Sequence, residues 1–197
     1  DFCLSRGLGD VYKRQALHWA DLTTDTDIGK YGVSLLNDCK YGYDVKPSQL
    51  RLTLLRSSHW PDSQADRGIQ EFTYSLYPHV GSWEEAETVK RGYELNVPLQ
   101  ILINPANYQS NLSGCESESF LDLSADNLIL MALKPSEDSP EKYILRFYEC
   151  HGKTTILSLE SQVLSLGEPL DLLENRIQLE KNIQPWKIVT FAVFPRR

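Results

Sequence analysis

Leu50-Arg51-Leu52-Thr53-Leu54-Leu55 alternates leucine with arginine and threonine before closing on a second leucine. Successive side chains of a strand point to opposite faces, so this period-two pattern describes a half-buried β-strand. Lys46-Pro47-Ser48-Gln49 just before it is turn chemistry. Tyr43–Val45 and Leu50–Leu55 are therefore expected to pair as a hairpin. Outward from this pair, Tyr31–Leu36 is a β-rich run ended by Asn37-Asp38, and Glu71–Tyr77 is again strand-like. Ser57–Ile69, with Pro61, Asp62, Asp66 and Gly68, reads as a long loop between them.

The pattern continues downstream. Leu99–Ile103 is an apolar strand, and Asn104–Ser119 is rich enough in Asn, Ser, Gly and Pro to be a linker. Phe120–Leu123, Leu128–Lys134, Tyr143–Glu149, Thr154–Leu159 and Ile188–Phe194 follow, separated by turn-rich breaks. Short strands at such spacing suggest a sandwich. Gly167–Leu173 reads as a loop. The best helix is Ser82–Val89, where Ser82 and Glu85 have capping-box spacing. The fold class is all-β, built as antiparallel β-sandwiches.

Composition narrows the function. With 41% hydrophobic and 24% charged residues in 197, the chain has the balance of a globular protein with a core. A net charge of −7 argues against a nucleic-acid binder and against a polybasic membrane-surface module. No apolar run approaches the ~18 residues of a membrane span. Cys3, Cys39, Cys115 and Cys150 form no C-x-x-C pair and read as scattered buried thiols in a reducing compartment. Asn111-Leu112-Ser113 matches the glycosylation pattern, which means little without a secretory signal. Asp1–Gln15 (DFCLSRGLGDVYKRQ) shows no period and no leader core, and is expected to be a non-native segment. The native polypeptide is then expected to extend upstream.

Three passages resemble the C-terminal domains of glycoside hydrolase family 38, the class II α-mannosidases. The first is His18-Trp19-Ala20-Asp21-Leu22 with Tyr31–Gly42, which contains Asn37-Asp38-Cys39-Lys40-Tyr41-Gly42. The second is Leu50–Ser57 with Pro61–Gly68 and Glu71–His79. The third is Leu145-Arg146-Phe147-Tyr148-Glu149 followed by Gly152. Order and spacing agree over most of residues 16–197, and the Asn37–Gly42 wording looks closest to the cytosolic branch.

The resemblance implies residues 16–112 as the end of a galactose-mutarotase-like supersandwich and 116–197 as a small C-terminal sandwich. It implies a retaining hydrolase of terminal α-D-mannosides, with two carboxylates and a divalent metal, zinc or cobalt, in an N-terminal barrel. No passage here resembles the barrel's motifs. The segment is expected to bind no metal and to be inactive alone, to have the missing catalytic domain and an α-mannoside as partners, and to work in the cytoplasm. Open sheet edges favour association, a homo-oligomer included.

The candidate residues carry two readings each. Trp60, Asp66 and Arg67 share the loop after residue 57. Loops carry function disproportionately, a guanidinium suits sugar hydroxyls, and an indole stacks on a pyranose. In the family a β-domain loop brings an arginine to the barrel's edge, and Arg67 matches it. The bland reading is a solvated Asp66–Arg67 loop, and both stay open. His18, His59, His79 and His151 lack metal-ligand spacing and read as structural, though a sheet could gather some with Asp21, Asp38 or Asp62. Cys39 as a nucleophile lacks a base, so Asn37–Gly42 reads as a strand-ending turn with a Lys40–carboxylate pair. Trp19 is expected to pack the first strand onto the sandwich, and Arg146 to be an ion-pair partner. A stand-alone carbohydrate-binding module and a purely structural sandwich remain the alternatives.

Overall fold

The computed structural model describes residues 14–101, 119–178 and 182–196. The chain divides into two compact units, Asp1–Leu102 and Ile103–Arg197. The expected junction at 112–116, the Asn111 sequon, Cys3 and Cys115 lie outside the described residues. The protein is all-β, with antiparallel pairing throughout the described strands and one short helix among them.

The first unit carries β1 (Arg14–Gln15), β2 (Trp19–Thr26), β3 (Gly29–Asn37), β4 (Gly42–Lys46), β5 (Gln49–Leu52), β6 (Tyr74–Val80) and the helix α1 (Thr88–Asn96). Its sheets run β2-β3-β6 and β1-β4-β5. Alternation explains the packing. Ala20 and Leu35 are register partners and sit in one cluster with Ala16, Tyr43, Leu50 and Leu52 from the hairpin side. Trp19, Asp21, Ser34, Tyr77 and His79 share the opposite face by register. That face is covered by α1 and the turn before it. Trp19 therefore lies on the helix-covered side and not in the intersheet core, its ring 5.1 Å from that of Trp83. Gly92 faces this side of the sheet, where a Cβ would make an ordinary contact 3.4 Å from Trp19 Cδ1.

The expected hairpin is present, but β5 stops at Leu52 and β6 starts at Tyr74. The Thr73 N–H donates to the Asp38 carboxylate at 2.9 Å, which removes it from the ladder. The capping box also forms, with Ser82 N–H donating to Glu85 Oε2 at 2.7 Å and Glu85 N–H to Ser82 Oγ at 3.3 Å. It closes a turn, however, and Glu87 at φ 53° separates that turn from the helix. The helix consequently begins at Thr88, six residues later than Ser82. Leu99–Ile101 are in no strand, and Ile103 is outside the described residues.

The second unit carries β7 (Leu128–Pro135), β8 (Tyr143–Glu149), β9 (Thr155–Ile156), β10 (Leu164–Leu170), β11 (Asn182–Ile183) and β12 (Ile188–Pro195). The order is β10-β12-β8-β7, with β11-β9 as a separate pair. Leu145, Phe147, Val189, Phe191 and Val193 build the core with Leu157 and Ile183. Burying each such side chain stabilises by about 1.5–3 kcal/mol. The run expected as a loop at Gly167–Leu173 is instead largely strand, with a bulge between Leu166 and Pro169. Proline and glycine are tolerated there because β10 is an edge strand. Thr154–Leu159 shrinks to the two residues of β9, and Phe120–Leu123 contributes only the bridge Asp122 to Glu160. Arg146 donates to Thr190 Oγ1 at 3.0 Å and to the Leu172 carbonyl at 3.2 Å, so its partners are neutral acceptors in place of the expected carboxylate.

Candidate functional site

The loop between β5 and β6 is anchored at both feet. Thr53 N–H donates to the Gly42 carbonyl at 2.8 Å, and the Asp38 N–H donates to the Thr73 carbonyl at 3.1 Å. Within the loop, Asp66 Oδ2 accepts the N–H groups of both Arg56 and Ser57. Ser57 stands at φ 53° and Gly68, two residues beyond Asp66, at φ 100°, both in the left-handed region. Asp62 Oδ1 accepts the Gln64 N–H at 2.8 Å, and the Arg67 N–H donates to the Gln64 carbonyl at 3.0 Å. A short polar side chain that bonds backbone two residues on is the usual way such a turn is fixed.

This bonding separates the three sequence candidates. Asp66 is a half-buried organiser of its own loop. Trp60 is 84% exposed, and it precedes Pro61 across a cis peptide bond. Arg67 is exposed, and among the described residues no hydrogen bond or ion pair holds its guanidinium. The expected Asp66–Arg67 pair is replaced by carboxylate-to-backbone bonds. The loop thus presents a fixed cation with five donors and an apolar ring face, a combination that suits hydroxyl-rich ligands.

The other candidates fall elsewhere. Cys39 is exposed, contrary to the buried thiol expected. Hydrogen bonding to Asp38, with burial and charge repulsion added, pushes its thiol pKa up, which suppresses the thiolate a nucleophile needs. Lys40 sits over the Phe72 ring at 5.1 Å, where a carboxylate pair was expected. His18 meets the Tyr93 ring edge-on at 5.6 Å, and His59 is exposed. The sheet does gather His79 with Asp21, but the rest of that cluster is hydroxyl: Ser34 Oγ donates to Asp21 Oδ1 at 2.7 Å, and Ser34 and Thr88 Oγ1 are 2.8 Å apart. The spacing signal for this was the β2–β3–β6 register, which needs the pairing to be read. Among the described residues no group of three His, Cys, Asp or Glu could hold an ion, so these residues do not fit the metal that the resemblance implies.

Two family models match the chain: the glycosyl hydrolases family 38 C-terminal domain over residues 9–64, and the family 38 C-terminal beta sandwich domain over residues 127–191. The chain belongs to glycosyl hydrolase family 38. The family 38 chain is 40% identical over 190 residues to alpha-mannosidase 2C1 of Homo sapiens, covering 89% of itself and 18% of that protein. It is 36% identical over 148 residues to alpha-mannosidase G of Dictyostelium discoideum, covering 75% of itself and 13% of that protein. It spans less than a fifth of the length of these curated relatives. A solved family 38 protein from Enterococcus faecalis superposes with a TM-score of 0.71 at 16% identity, over 92% of this chain and 22% of that one, a likeness of fold.

Proposed function

We propose that these residues are the non-catalytic C-terminal portion of a retaining α-mannosidase, and that the loop after β5 takes part in recognising a terminal α-D-mannoside. Residues 16–112 then end the large β-domain and 116–197 form the small sandwich. Two carboxylates and the divalent metal would come from a catalytic domain upstream, and the whole enzyme would act in the cytoplasm. The share of its relatives that the chain spans supports this division of labour. No helix among the described residues is long and apolar enough to cross a membrane.

The observation that carries the loop assignment is the different bonding of neighbours: Asp66 is consumed by Arg56 and Ser57, while the Arg67 guanidinium is left without a partner among the described residues. Arg67 would donate to sugar hydroxyls, Trp60 would stack on the ring, and Asp66 would hold both in place. In the full-length enzyme, Arg67→Ala should lower kcat/KM on an aryl α-mannoside by about 10- to 100-fold, the loss of a charged hydrogen bond. Unchanged kinetics would remove Arg67 from the site.

A further inference from the structure

Trp186 stands at φ 60° in the turn Gln184-Pro185-Trp186-Lys187, which the Lys187 N–H closes by donating to the Gln184 carbonyl at 3.3 Å. Proline at the second position and a positive φ at the third are the marks of a turn whose third residue is ordinarily glycine or asparagine. A bulky aromatic there is a backbone outlier, and such outliers persist only where the surroundings over-determine them.

The surroundings do so. Glu149, fully buried at the end of β8, accepts the Trp186 N–H at 2.9 Å and also the N–H groups of His151 at 2.7 Å and Gly152 at 2.9 Å. The Glu149 N–H in turn donates to the Lys187 carbonyl at 3.0 Å. Gly152, itself at φ 69°, is the floor beneath the indole: a Cβ at that position would stand 2.5 Å from Trp186 Cζ2 and 2.9 Å from Nε1. The ring is thus immobilised on backbone while 44% of the residue faces solvent. Packing alone does not require this, because asparagine or glycine would satisfy the turn with less strain. Gln184 and Lys187, in the same turn, and Lys153, next in sequence to Gly152, are exposed and carry donor groups.

We propose that Trp186 is the platform of a second carbohydrate-binding site, on the C-terminal unit, which takes the C–H face of a hexose ring in an α-mannan or mannose-rich glycan. The rigid turn lowers the entropic cost of presenting the ring, and the flanking amide and ammonium groups bond the hydroxyls. The choice of mannose as the sugar rests on the proposed function, whereas the platform rests on the turn.

The test uses the full-length protein and its Trp186→Asn variant on immobilised α-mannan, with elution by free methyl α-mannoside. Asparagine suits a left-handed position, so the variant keeps its turn and its thermal midpoint does not fall. Retention on mannan should weaken by about tenfold or more. Trp186→Phe should keep part of it. Equal retention of wild type and Trp186→Asn, or retention of neither, overturns the proposal. So does unchanged retention with a lower thermal midpoint, which makes the ring a packing element, or with an altered oligomer size, which makes it a protein contact. Arg67→Ala is scored on aryl α-mannoside turnover and Trp186→Asn on mannan retention, so either reading can fail alone.

Discussion

Asp21 Oδ1 and His79 Nε2 lie 2.8 Å apart across β3, although the residues belong to strands that do not touch. Gly32, between them, makes this possible: a Cβ there would stand 2.4 Å from His79 Cε1 and 2.5 Å from Thr23 Oγ1. Asp21 Oδ1 also accepts from Ser34, and Oδ2 accepts from Thr23 Oγ1. Since Ser34 spends its proton on Asp21, Thr88 Oγ1 must donate to Ser34, which ties α1 to the sheet. Among the described residues His79 Nδ1 is buried without a partner.

Removing the carboxylate should therefore be costly. Asp21→Ala takes the acceptor from the Thr23 and Ser34 hydroxyls and the partner from the buried His79 imidazole, and is expected to destabilise the first unit by at least about 1–3 kcal/mol. Gly32→Ala should cost about 1–3 kcal/mol by forcing the imidazole off the sheet. Urea midpoints measure both, and a midpoint shift near zero for Gly32→Ala would show that the ring has room to move.

Glu149 makes the corresponding prediction for the second unit. Burial pulls its pKa up, but the N–H groups of Trp186 and His151 and the Asn127 amide outweigh burial and hold it below the usual 4.5. A folded-state pKa below the unfolded one gives stability that is full above about pH 4.5. That stability is lost as pH falls through the depressed value. Glu149→Gln should lower stability at pH 7 by about 1.5–3 kcal/mol and flatten the acid limb of the stability curve. An acid limb of unchanged slope would be inconsistent with this assignment.

Asp66 should act on turnover through the loop and not through the sugar. Asp66→Ala frees the Arg56 and Ser57 N–H groups, so it should raise KM on an aryl α-mannoside by about tenfold, with protease nicking between residues 57 and 68 increased. Arg67→Ala should raise no such nicking. If Asp66→Ala changes neither, the clamp does not position the loop.

The two described thiols should differ in reactivity. Burial pushes the Cys150 thiol up to about 12, and Cys39, although exposed, is held protonated chiefly by Asp38. At pH 8, Cys150 should resist iodoacetamide until the chain unfolds, while Cys39 reacts slowly. Asp38→Asn should accelerate Cys39 about threefold or more by releasing the thiolate. Peptide mapping of the two sites decides it.

Alternation of leucine with polar residues was enough to find the hairpin around Pro47, because a half-buried strand writes its period directly into the chain, and β-rich apolar runs between turn-rich breaks located β7, β8 and β12. It failed at α1, where Gly92 and a nine-residue length leave little helical signal, and at β10, where Gly167 and Pro169 imitate a loop. Edge strands tolerate such residues, and edges are assigned only by pairing. The loop carrying Trp60, Asp66 and Arg67 was legible as turn chemistry, but the bonding that separates Asp66 from Arg67 was not.

Residue order therefore sufficed for the class of fold, the family and the loop, since each rests on local period or on the spacing of quoted passages. Folding settled the rest: that Asp21 reaches His79 over a glycine, that Glu149 holds Trp186 from 37 residues away, and that Cys39 is exposed. Those relationships depend on strand register and on the donors left over once the ladders are formed, and neither is written in any one segment.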